Sequence, residues 1–337
     1  EHWVGHGDPM TQDTYSKLLA DYLKMEGIHD PVLWLYTPMA EAFSKTIPHC
    51  LLIYDVMDQL SAFKGAPPEI AQLEPALLKR ADLVFTGGVS LYEAKFPSNR
   101  HTYLFPSGVE IEHFSKAAER DSHPIPGELA GLEGSIIGYF GVIDERMDLE
   151  LLAYIAAARP EWQIVLIGPV VKIAYEELPQ AENLHYLGMR QYAELPSYLA
   201  HFDAALVPFA MNEATRFLSP TKTLEYLAAG KPVVSTPIKD VVDLYGSVVE
   251  FGETPSEFVA AIERLWSESP ALRQLRLAAG LRLVAEHAWD EIAARMRAQI
   301  DAALLRRAVP DGSTLLPPFA FDHTVLAEEP VFATTAD

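Results

Sequence analysis

The sequence has a single cysteine, no long apolar run and no recognisable signal peptide. Cys50 alone excludes an intrachain disulfide and fits a reducing compartment, although some secreted bacterial proteins also lack cysteine. No run approaches the roughly 18 apolar residues that a transmembrane helix needs, and the chain opens with the polar stretch EHWVGHGDPMTQ. We therefore expect a cytoplasmic protein and leave open a peripheral association with the inner face of the membrane.

Positive charge is also scarce. Lysine and arginine total 26 against 47 aspartates and glutamates, which gives a formal net charge of −21. Sequence-independent binding of nucleic acid depends on neutralising phosphates with lysine and arginine. This composition therefore argues against a nucleic-acid partner, but it does not exclude a small local pocket for an anion.

Alternating strand-like and helix-like segments fill most of the chain. Ten short apolar runs predict strands at 32–38, 49–56, 81–88, 101–108, 134–141, 162–170, 183–189, 203–210, 231–237 and 246–252. Helical patterns lie between them at 68–80, 148–158, 192–202 and 221–229. Near-continuous apolar strands that alternate with helices indicate parallel sheets covered on both faces. Because 337 residues exceed one comfortable core, we predict an α/β protein of two Rossmann-like domains.

A linker-like stretch at 110–131 separates two series of strands. We predict an amino-terminal domain over 1–112, a carboxy-terminal domain over 113–285, a terminal helix at 286–308 that returns to the first domain, and a tail at 309–337. The first series of strands is short for a doubly wound domain. Whether the amino-terminal domain is complete therefore stays open.

The segment SPTKTLEYLAAGKPVVST predicts a helix followed by a strand, with a lysine in the first turn of the helix. Ser219 suits the N-cap and Pro220 suits the first helical position, whereas the helix dipole disfavours a cation at Lys222. An anion held by the first main-chain N–H groups would pair with Lys222. Glu225, one turn deeper, would then accept hydrogen bonds from vicinal hydroxyls such as those of a ribose. The alternative is a Lys–Glu pair on a solvated face, worth a few tenths of a kcal/mol.

Further loops follow predicted strands, where ligands bind in open α/β folds. Gly141 lets the backbone come close to a ligand, and Arg146 lies five residues further on. Gly188, in the segment GMRQY, frees the backbone for contacts to the edge of a flat ring, and the loop 208–220 leads into the helix. A solvated charged turn is the alternative for Arg146, and a plain βα turn for Gly188.

These segments resemble the retaining glycosyltransferases with the two-domain GT-B fold, specifically glycosyltransferase family 4. The segment SPTKTLEYLAAGKPVVST is similar to the donor-binding signature of that family, and LFPSGVEIEHF is similar to its link between domains. IIGYFGVIDERMDLELL resembles its glycine loop, and NLHYLGMRQYAELPSYLAHFDAALVPF its base-binding segment. LLIYDVMDQLSAF resembles a subgroup with a YD…D element where many relatives carry a histidine. Together the resemblance covers roughly residues 32–300.

The resemblance implies a role for each matching residue. Lys222 and Arg146 would neutralise the diphosphate as it leaves, Glu225 would bind the ribose hydroxyls, and Asp55 or Asp58 would face the acceptor. The implied sites are catalytic Arg146, Lys222 and Asp55; donor-binding Gly141, Gly188, Met189, Arg190, Asn212, Ser219, Pro220, Thr221, Lys222 and Glu225; and, on the acceptor side, Asp58 and Gly108. No metal is expected, because the chain has no DxD or HExxH segment.

One position departs from the family pattern. The family carries an acidic residue eight positions before the ribose-binding glutamate, but this chain has Phe217 there, with Glu213 four residues earlier. Glu213 or Asn212 is left as the candidate contact to the donor sugar. The departure leaves the identity of the sugar open.

The function that the resemblance implies is transfer of a sugar, with retention, from a nucleotide diphosphate sugar to an acceptor hydroxyl. We expect a UDP- or GDP-sugar donor, no cofactor, and a glycan, lipid-linked or small-molecule acceptor in the synthesis of a surface or secreted glycan. The alternatives are a sugar-nucleotide epimerase on the same fold and a non-catalytic nucleotide-binding partner subunit. The sequence does not indicate the oligomeric state.

Overall fold

The computed structural model describes residues 8–308, except residues 64 and 214. Its contacts divide the chain into two compact units. Among the described residues, unit 1 comprises 8–106 and 293–308, and unit 2 comprises 107–292. The first division therefore lies six residues before the predicted one. The predicted tail at 309–337 lies outside the described residues.

Unit 1 is built on a parallel four-stranded sheet in the order β1-β2-β3-β4. Its strands are β1 (Val32–Leu35), β2 (Leu51–Val56), β3 (Leu83–Thr86) and β4 (Thr102–Leu104). Its helices include α1 (Pro9–Met25), α2 (Glu41–Ser44), α3 (Pro68–Arg80) and α4 (Val89–Lys95). All six residues of β2 are buried, as expected for a central strand covered on both faces.

Unit 2 contains a parallel six-stranded sheet in the order β10-β9-β8-β5-β6-β7. Its strands are β5 (Ile136–Phe140), β6 (Gln163–Ile167), β7 (Leu184–Gly188), β8 (Ala204–Val207), β9 (Val233–Ser235) and β10 (Glu250–Phe251). Its helices include α5 (Ile111–Phe114), α6 (Leu149–Ala158), α7 (Leu195–Ala200), α8 (Lys222–Ala228), α9 (Lys239–Tyr245), α10 (Pro255–Ser267) and α11 (Pro270–Glu286). The strand order reverses at β5, between β8 and β6, which is the type of position where open α/β sheets bind ligands.

Helix α12 (Trp289–Ala308) starts among the residues of unit 2, and its residues from Ala293 onward group with unit 1. Near its end, the guanidinium of Arg307 donates to the carbonyl oxygen of Cys50 at 2.6 Å and to Asp82 at 2.5 Å. These bonds join the last turn of the helix to the amino-terminal side of β2 and β3.

The predicted α/β class and the parallel sheets are confirmed, and each of the ten predicted strands contains an observed strand. The predicted helix at 68–80 has the same bounds as α3. The observed strands are shorter than the predicted ones, because the apolar runs include residues of the loops at both ends.

Two local predictions were wrong. Regular helix begins at Lys222, with Thr221 as the N-cap, and not at Ser219 and Pro220. The preceding turn is loose: the Thr223 N–H lies 3.4 Å from the carbonyl oxygen of Pro220, and the Glu225 N–H lies 3.4 Å from that of Thr221.

The stretch at 110–131 is a folded part of unit 2 and not a free linker. It includes α5, and the side chains of Phe114, Ala117 and Leu129 are buried. The ring of Phe114 stacks on that of Phe140 with centroids 5.9 Å apart. The apolar residues of this stretch therefore contribute to the core of unit 2.

We predict that Gly138→Ala destabilises unit 2 by about 1–3 kcal/mol, because a Cβ there would overlap with the buried ring of Phe202. Thermal and urea unfolding, followed by circular dichroism, would measure the loss. Gly127→Ala is the matched control, since a Cβ at that position meets no atom within 4 Å. Equal stability of the two variants would contradict the prediction.

Candidate functional site

The loops after β5 and β6 approach each other through two glycines. Gly141 and Gly168 have φ angles of +150° and +147°, which L side chains rarely adopt. A Cβ at Gly168 would overlap with the carbonyl oxygen of Gly141, and the Gly141 N–H donates to the carbonyl oxygen of Ile167 at 2.8 Å. Only glycines allow this approach, so the predicted ligand-facing glycine loop lies directly beside the end of the neighbouring strand.

Main-chain hydrogen bonds join this glycine loop to the loops that follow β6 and β8. The Ile143 N–H donates to the carbonyl oxygen of Pro169 at 3.0 Å. The Ala210 N–H donates to the carbonyl oxygen of Arg146 at 2.8 Å, and the Asp148 N–H donates to that of Pro208 at 2.9 Å. Three loops at the carboxyl ends of the central strands are therefore held in one arrangement before any ligand binds.

Arg146 is held by a buried carboxylate two residues away. Its Nε lies 2.9 Å and 3.1 Å from the two carboxylate oxygens of Asp144, and its Nη2 donates to Asp144 Oδ2 at 2.8 Å. Asp144 is only 4% exposed, and its hydrogen bonds raise the pKa of Arg146. Within the described residues Nη1 makes no hydrogen bond, so one edge of the guanidinium stays available to an anion.

Lys222 and Glu225 pair with each other at the start of α8. Lys222 Nζ lies 2.7 Å from Glu225 Oε2 and 5.0 Å from the centroid of the Phe140 ring. The two side chains are 25% and 13% exposed, so the pair is half-buried and does not lie on a solvated face. The pair considered as an alternative in the sequence is present, but in surroundings that strengthen its electrostatic interactions.

The main chain just before α8 offers free donors. Among the described residues, no acceptor is found for the main-chain N–H groups of Ser219, Thr221 and Lys222, and Pro220 has none to donate. The side chain of Thr221 makes no capping hydrogen bond. Since α8 has only seven residues, these donors and the charge of Lys222 matter more here than the helix dipole does.

The predicted base-binding segment forms one wall of an open groove of about 1080 Å³. Gly188 has a φ of +70° with open space at its Cβ position, and the side chain of Met189 is 75% exposed. The guanidinium of Arg190 is hydrogen-bonded within the protein. It donates to Tyr198 Oη at 2.8 Å and to Glu128 Oε1 at 2.5 Å. Contacts from this segment to a ligand would therefore come from its main chain and Met189.

Sequence reasoning missed an aromatic pair next to this segment. The ring of Tyr192 stacks on that of His113 with centroids 4.0 Å apart, and its hydroxyl donates to Glu110 Oε2 at 3.1 Å. Burial raises the pKa of the Tyr192 hydroxyl, and the nearby charges of Glu110 and Glu225 raise it further. Tyr192 ends the segment GMRQY, but its neighbours come from a part of the chain some 80 residues away.

The loop 208–220 does not bring an acidic side chain into the place of the missing one. Glu213 is 88% exposed at its side chain and lies 3.7 Å from Arg216. The Arg216 guanidinium covers the ring of Phe217 at 5.3 Å. The main-chain N–H of Asn212 lies 3.1 Å from the hydroxyl of Thr215, which closes the turn.

The predicted acceptor-side carboxylates belong to unit 1. Asp55, near the end of β2, is 4% exposed, and its Oδ2 accepts a hydrogen bond from Trp34 Nε1 at 2.9 Å. Its Oδ1 is buried and has no partner within the described residues. This burial raises the pKa of Asp55 to about 6. Asp58 lies just after the strand and is exposed.

Gly108, also predicted on the acceptor side, belongs to unit 2. A Cβ at this glycine would lie 2.6 Å from the indole ring of Trp289. The next residue, Val109, donates its N–H to the carbonyl oxygen of His287 at 2.9 Å. Close packing therefore accounts for the glycine without a ligand.

Comparison with known proteins identifies the fold first. A sucrose-phosphate synthase from Thermosynechococcus elongatus matches with a TM-score of 0.67 and 17% identity, over 87% of this chain and 79% of that protein. Anabaena HepE in complex with UDP-glucose matches with a TM-score of 0.67 and 15% identity, over 85% and 82%. The chain has the GT-B fold of these proteins.

The sequence comparisons then identify the relatives. Residues 134–268 match the family model of glycosyl transferases group 1, and this match confirms the resemblance to glycosyltransferases. A putative teichuronic acid biosynthesis glycosyltransferase, TuaH, of Bacillus subtilis (strain 168) is 26% identical over 258 residues, which are 70% of this chain. The match spans 64% of the length of that relative.

We predict that Asp55→Asn stabilises the protein at neutral and alkaline pH. The native carboxyl has a pKa of about 6 against an ordinary value of 3.8, so the native state loses stability as pH rises through this window. The variant, which has no proton to lose, should exceed the wild type by about 2–3 kcal/mol at about pH 8, and the difference should shrink towards about pH 4.

Unfolding midpoints measured across this pH range would test the prediction. Asp21→Asn, on the exposed face of α1, is the matched control from the same unit. A gain at Asp55 that does not depend on pH would contradict the explanation by burial of a charge.

Proposed function

We propose that the protein is a retaining glycosyltransferase that moves a sugar from a nucleotide diphosphate sugar to an acceptor hydroxyl. The observation that carries the proposal is the half-buried pair of Lys222 and Glu225 against the ring of Phe140, beside three joined loops at the carboxyl ends of the central strands of unit 2. The match to glycosyl transferases group 1 over residues 134–268 supports it.

Each cation of the site is paired with a carboxylate of the protein: Lys222 with Glu225, and Arg146 with Asp144. A diphosphate would draw the ammonium of Lys222 away from Glu225 and take the free edge of Arg146 together with the N–H groups of residues 219–222. Glu225 would then be released to accept hydrogen bonds from the two ribose hydroxyls. The same pair thus serves both ends of the nucleotide.

The proposed chemistry depends on charge that develops on the departing diphosphate. Cations and main-chain donors aimed at such charge in a half-buried site are typically the largest contribution to catalysis. We propose that Lys222 and Arg146 supply this stabilisation without a metal ion, and that the loops hold them ready so that little reorganisation is needed. We propose the exposed Asp58, and not the buried Asp55, as the carboxylate of unit 1 that accepts a hydrogen bond from the acceptor hydroxyl.

For the donor we propose a UDP- or GDP-sugar. The solved complex of Anabaena HepE with UDP-glucose supports a uridine nucleotide. The role named for TuaH, teichuronic acid biosynthesis, supports a glycan, lipid-linked or small-molecule acceptor in the synthesis of a surface or secreted glycan. Among the described residues no helix is long and apolar enough to cross a membrane. The place of action we propose is the cytoplasm or the inner face of the membrane.

One observation favours a second candidate, a nucleotide-binding subunit without transfer activity. Phe217 stands where the family has an acidic residue, its ring is covered by Arg216, and Glu213 is exposed. Binding of nucleoside diphosphate without turnover of any donor and acceptor would support this candidate over the transferase.

We predict that Lys222→Ala lowers the transfer rate by roughly 10²–10³, because one charge-stabilising contact to the leaving group is lost. Glu225→Gln should weaken nucleotide binding more than it lowers the rate of the bound complex. Steady-state transfer assays and calorimetry with the nucleoside diphosphate would separate the two effects.

Lys239→Ala is the matched control for Lys222, since Lys239 also pairs with a carboxylate one turn away, Asp243, on α9. Its activity should equal that of the wild type. Full activity of the folded Lys222→Ala variant would remove the proposed site.

We also predict that UDP or GDP raises the melting temperature and that the Lys222→Ala variant loses this response. A ligand at 100 times its dissociation constant stabilises the native state by about 2.7 kcal/mol. A thermal-shift panel of UDP, GDP, ADP and TDP and their sugars would measure it. No shift with any of these nucleotides would count against the proposed donor class.

A further inference from the structure

Unit 2 contains a second cavity, at the opposite end of its sheet from the glycine loops. It has a volume of about 410 Å³, within the usual range for small-molecule sites. Ser135, Asp203 and Pro232, which line it, directly or closely precede β5, β8 and β9. These residues place the cavity at the amino ends of the strands, whereas the candidate donor site lies at the carboxyl ends.

The walls of this cavity are apolar and come from α8, α10 and α11. Leu227, Leu277 and the indole of Trp266 line it. Two glycines keep the walls close: a Cβ at Gly280 would lie 3.3 Å from Leu227 Cδ2, and one at Gly230 would lie 3.3 Å from Leu277 Cδ1. Trp266 is supported from behind by Trp162, whose ring centroid is 4.8 Å away in an edge-on arrangement.

The two carboxylates that line the cavity form ion pairs with arginines of the protein. The carboxylate of Asp203 pairs with Arg120 at 2.9 Å and accepts the Ile136 N–H at 2.8 Å, and the carboxylate of Glu268 pairs with Arg276. The cations Lys231 and Arg273 also line the cavity.

Neither Lys231 nor Arg273 has a carboxylate within 4 Å among the described residues.

Lys231 makes one hydrogen bond to the main chain, to a neutral carbonyl oxygen. Its Nζ donates to the carbonyl oxygen of Ala200, the last residue of α7, at 2.7 Å. Burial and the charge of Arg120 lower the pKa of Lys231 to about 8, although the nearby carboxylate of Asp203 raises it. The ammonium is thus held where water solvates it poorly, and a second anion beside it would reduce that cost.

We propose that this cavity binds a small organic anion, specifically a sugar ring that carries a phosphate or a carboxylate. The anionic group would contact Lys231 and Arg273, which suit phosphate and carboxylate geometry, and the apolar face of the ring would pack on Trp266 and the two leucines. The site is separate from the proposed donor site and does not depend on the proposed function.

Titration of glucose 6-phosphate, followed by tryptophan fluorescence and calorimetry, tests the proposal. We expect saturable binding with one site per chain. Arg273→Gln, an exposed position on α11, should weaken this binding at least tenfold, and Arg282→Gln, exposed on the same helix, should leave it unchanged. Lys231→Met should also weaken it, with circular dichroism as the check on folding.

Three further ligands test whether binding needs a phosphate, any anionic group, or the sugar ring alone. Glucuronate should bind in the same way if a carboxylate suffices, inorganic phosphate should bind more weakly, and glucose should not bind measurably. Binding should persist in the Lys222→Ala variant, because Lys222 lies at the other end of α8. Equal binding of glucose and its phosphate, no binding at millimolar concentration, or loss of binding in Lys222→Ala but not in Arg273→Gln would each overturn the proposal.

Discussion

The close approach of two glycines in unit 2 is the constraint on which the candidate site depends. Because Gly141 and Gly168 adopt left-handed or mirror-image φ values and have no Cβ, the ends of β5 and β6 meet without a side chain between them. The main-chain bonds from Ile143, Asp148 and Ala210 then fasten the glycine loop to both neighbouring loops. The backbone, and not a bound ligand, therefore sets the position of Arg146.

The charged side chains of the candidate site form two ion pairs, in which each cation is neutralised by a carboxylate of the protein. Arg146 rests on the buried Asp144, and Lys222 rests on Glu225 over Phe140. Such pairs hold the long cationic side chains in defined conformations, so that less side-chain entropy would be lost on ligand binding. Asp144 holds Arg146 in place, whereas Glu225 is proposed to bind the ribose hydroxyls once Lys222 turns away.

The class of fold was predictable because it depends on local patterns. Short apolar runs located each strand of the described residues, and the helical pattern at 68–80 located α3. The start of α8 was misplaced because Ser219 and Pro220 fit a cap by type, while the actual turn before Lys222 has long hydrogen bonds.

The candidate residues after β5, β7 and β8 were found because parallel strands all end at one edge. The hold of Asp144 on Arg146, the stack of Tyr192 on His113 and the cavity at the other edge arise from packing between distant segments, and no local pattern predicts them.

The pairing of these cations with carboxylates should also affect the rate at which an anionic ligand associates. With a net charge of −21, the protein as a whole repels a nucleotide diphosphate at a distance, and paired cations offset little of that field. At the proposed donor site, attraction would begin only when the anion is close enough to displace Glu225 from Lys222. Added salt screens the long-range repulsion more than it screens the half-buried contacts. Association at this site should therefore become faster as ionic strength rises, the opposite of the behaviour of an enzyme that steers its anionic substrate with a positive surface.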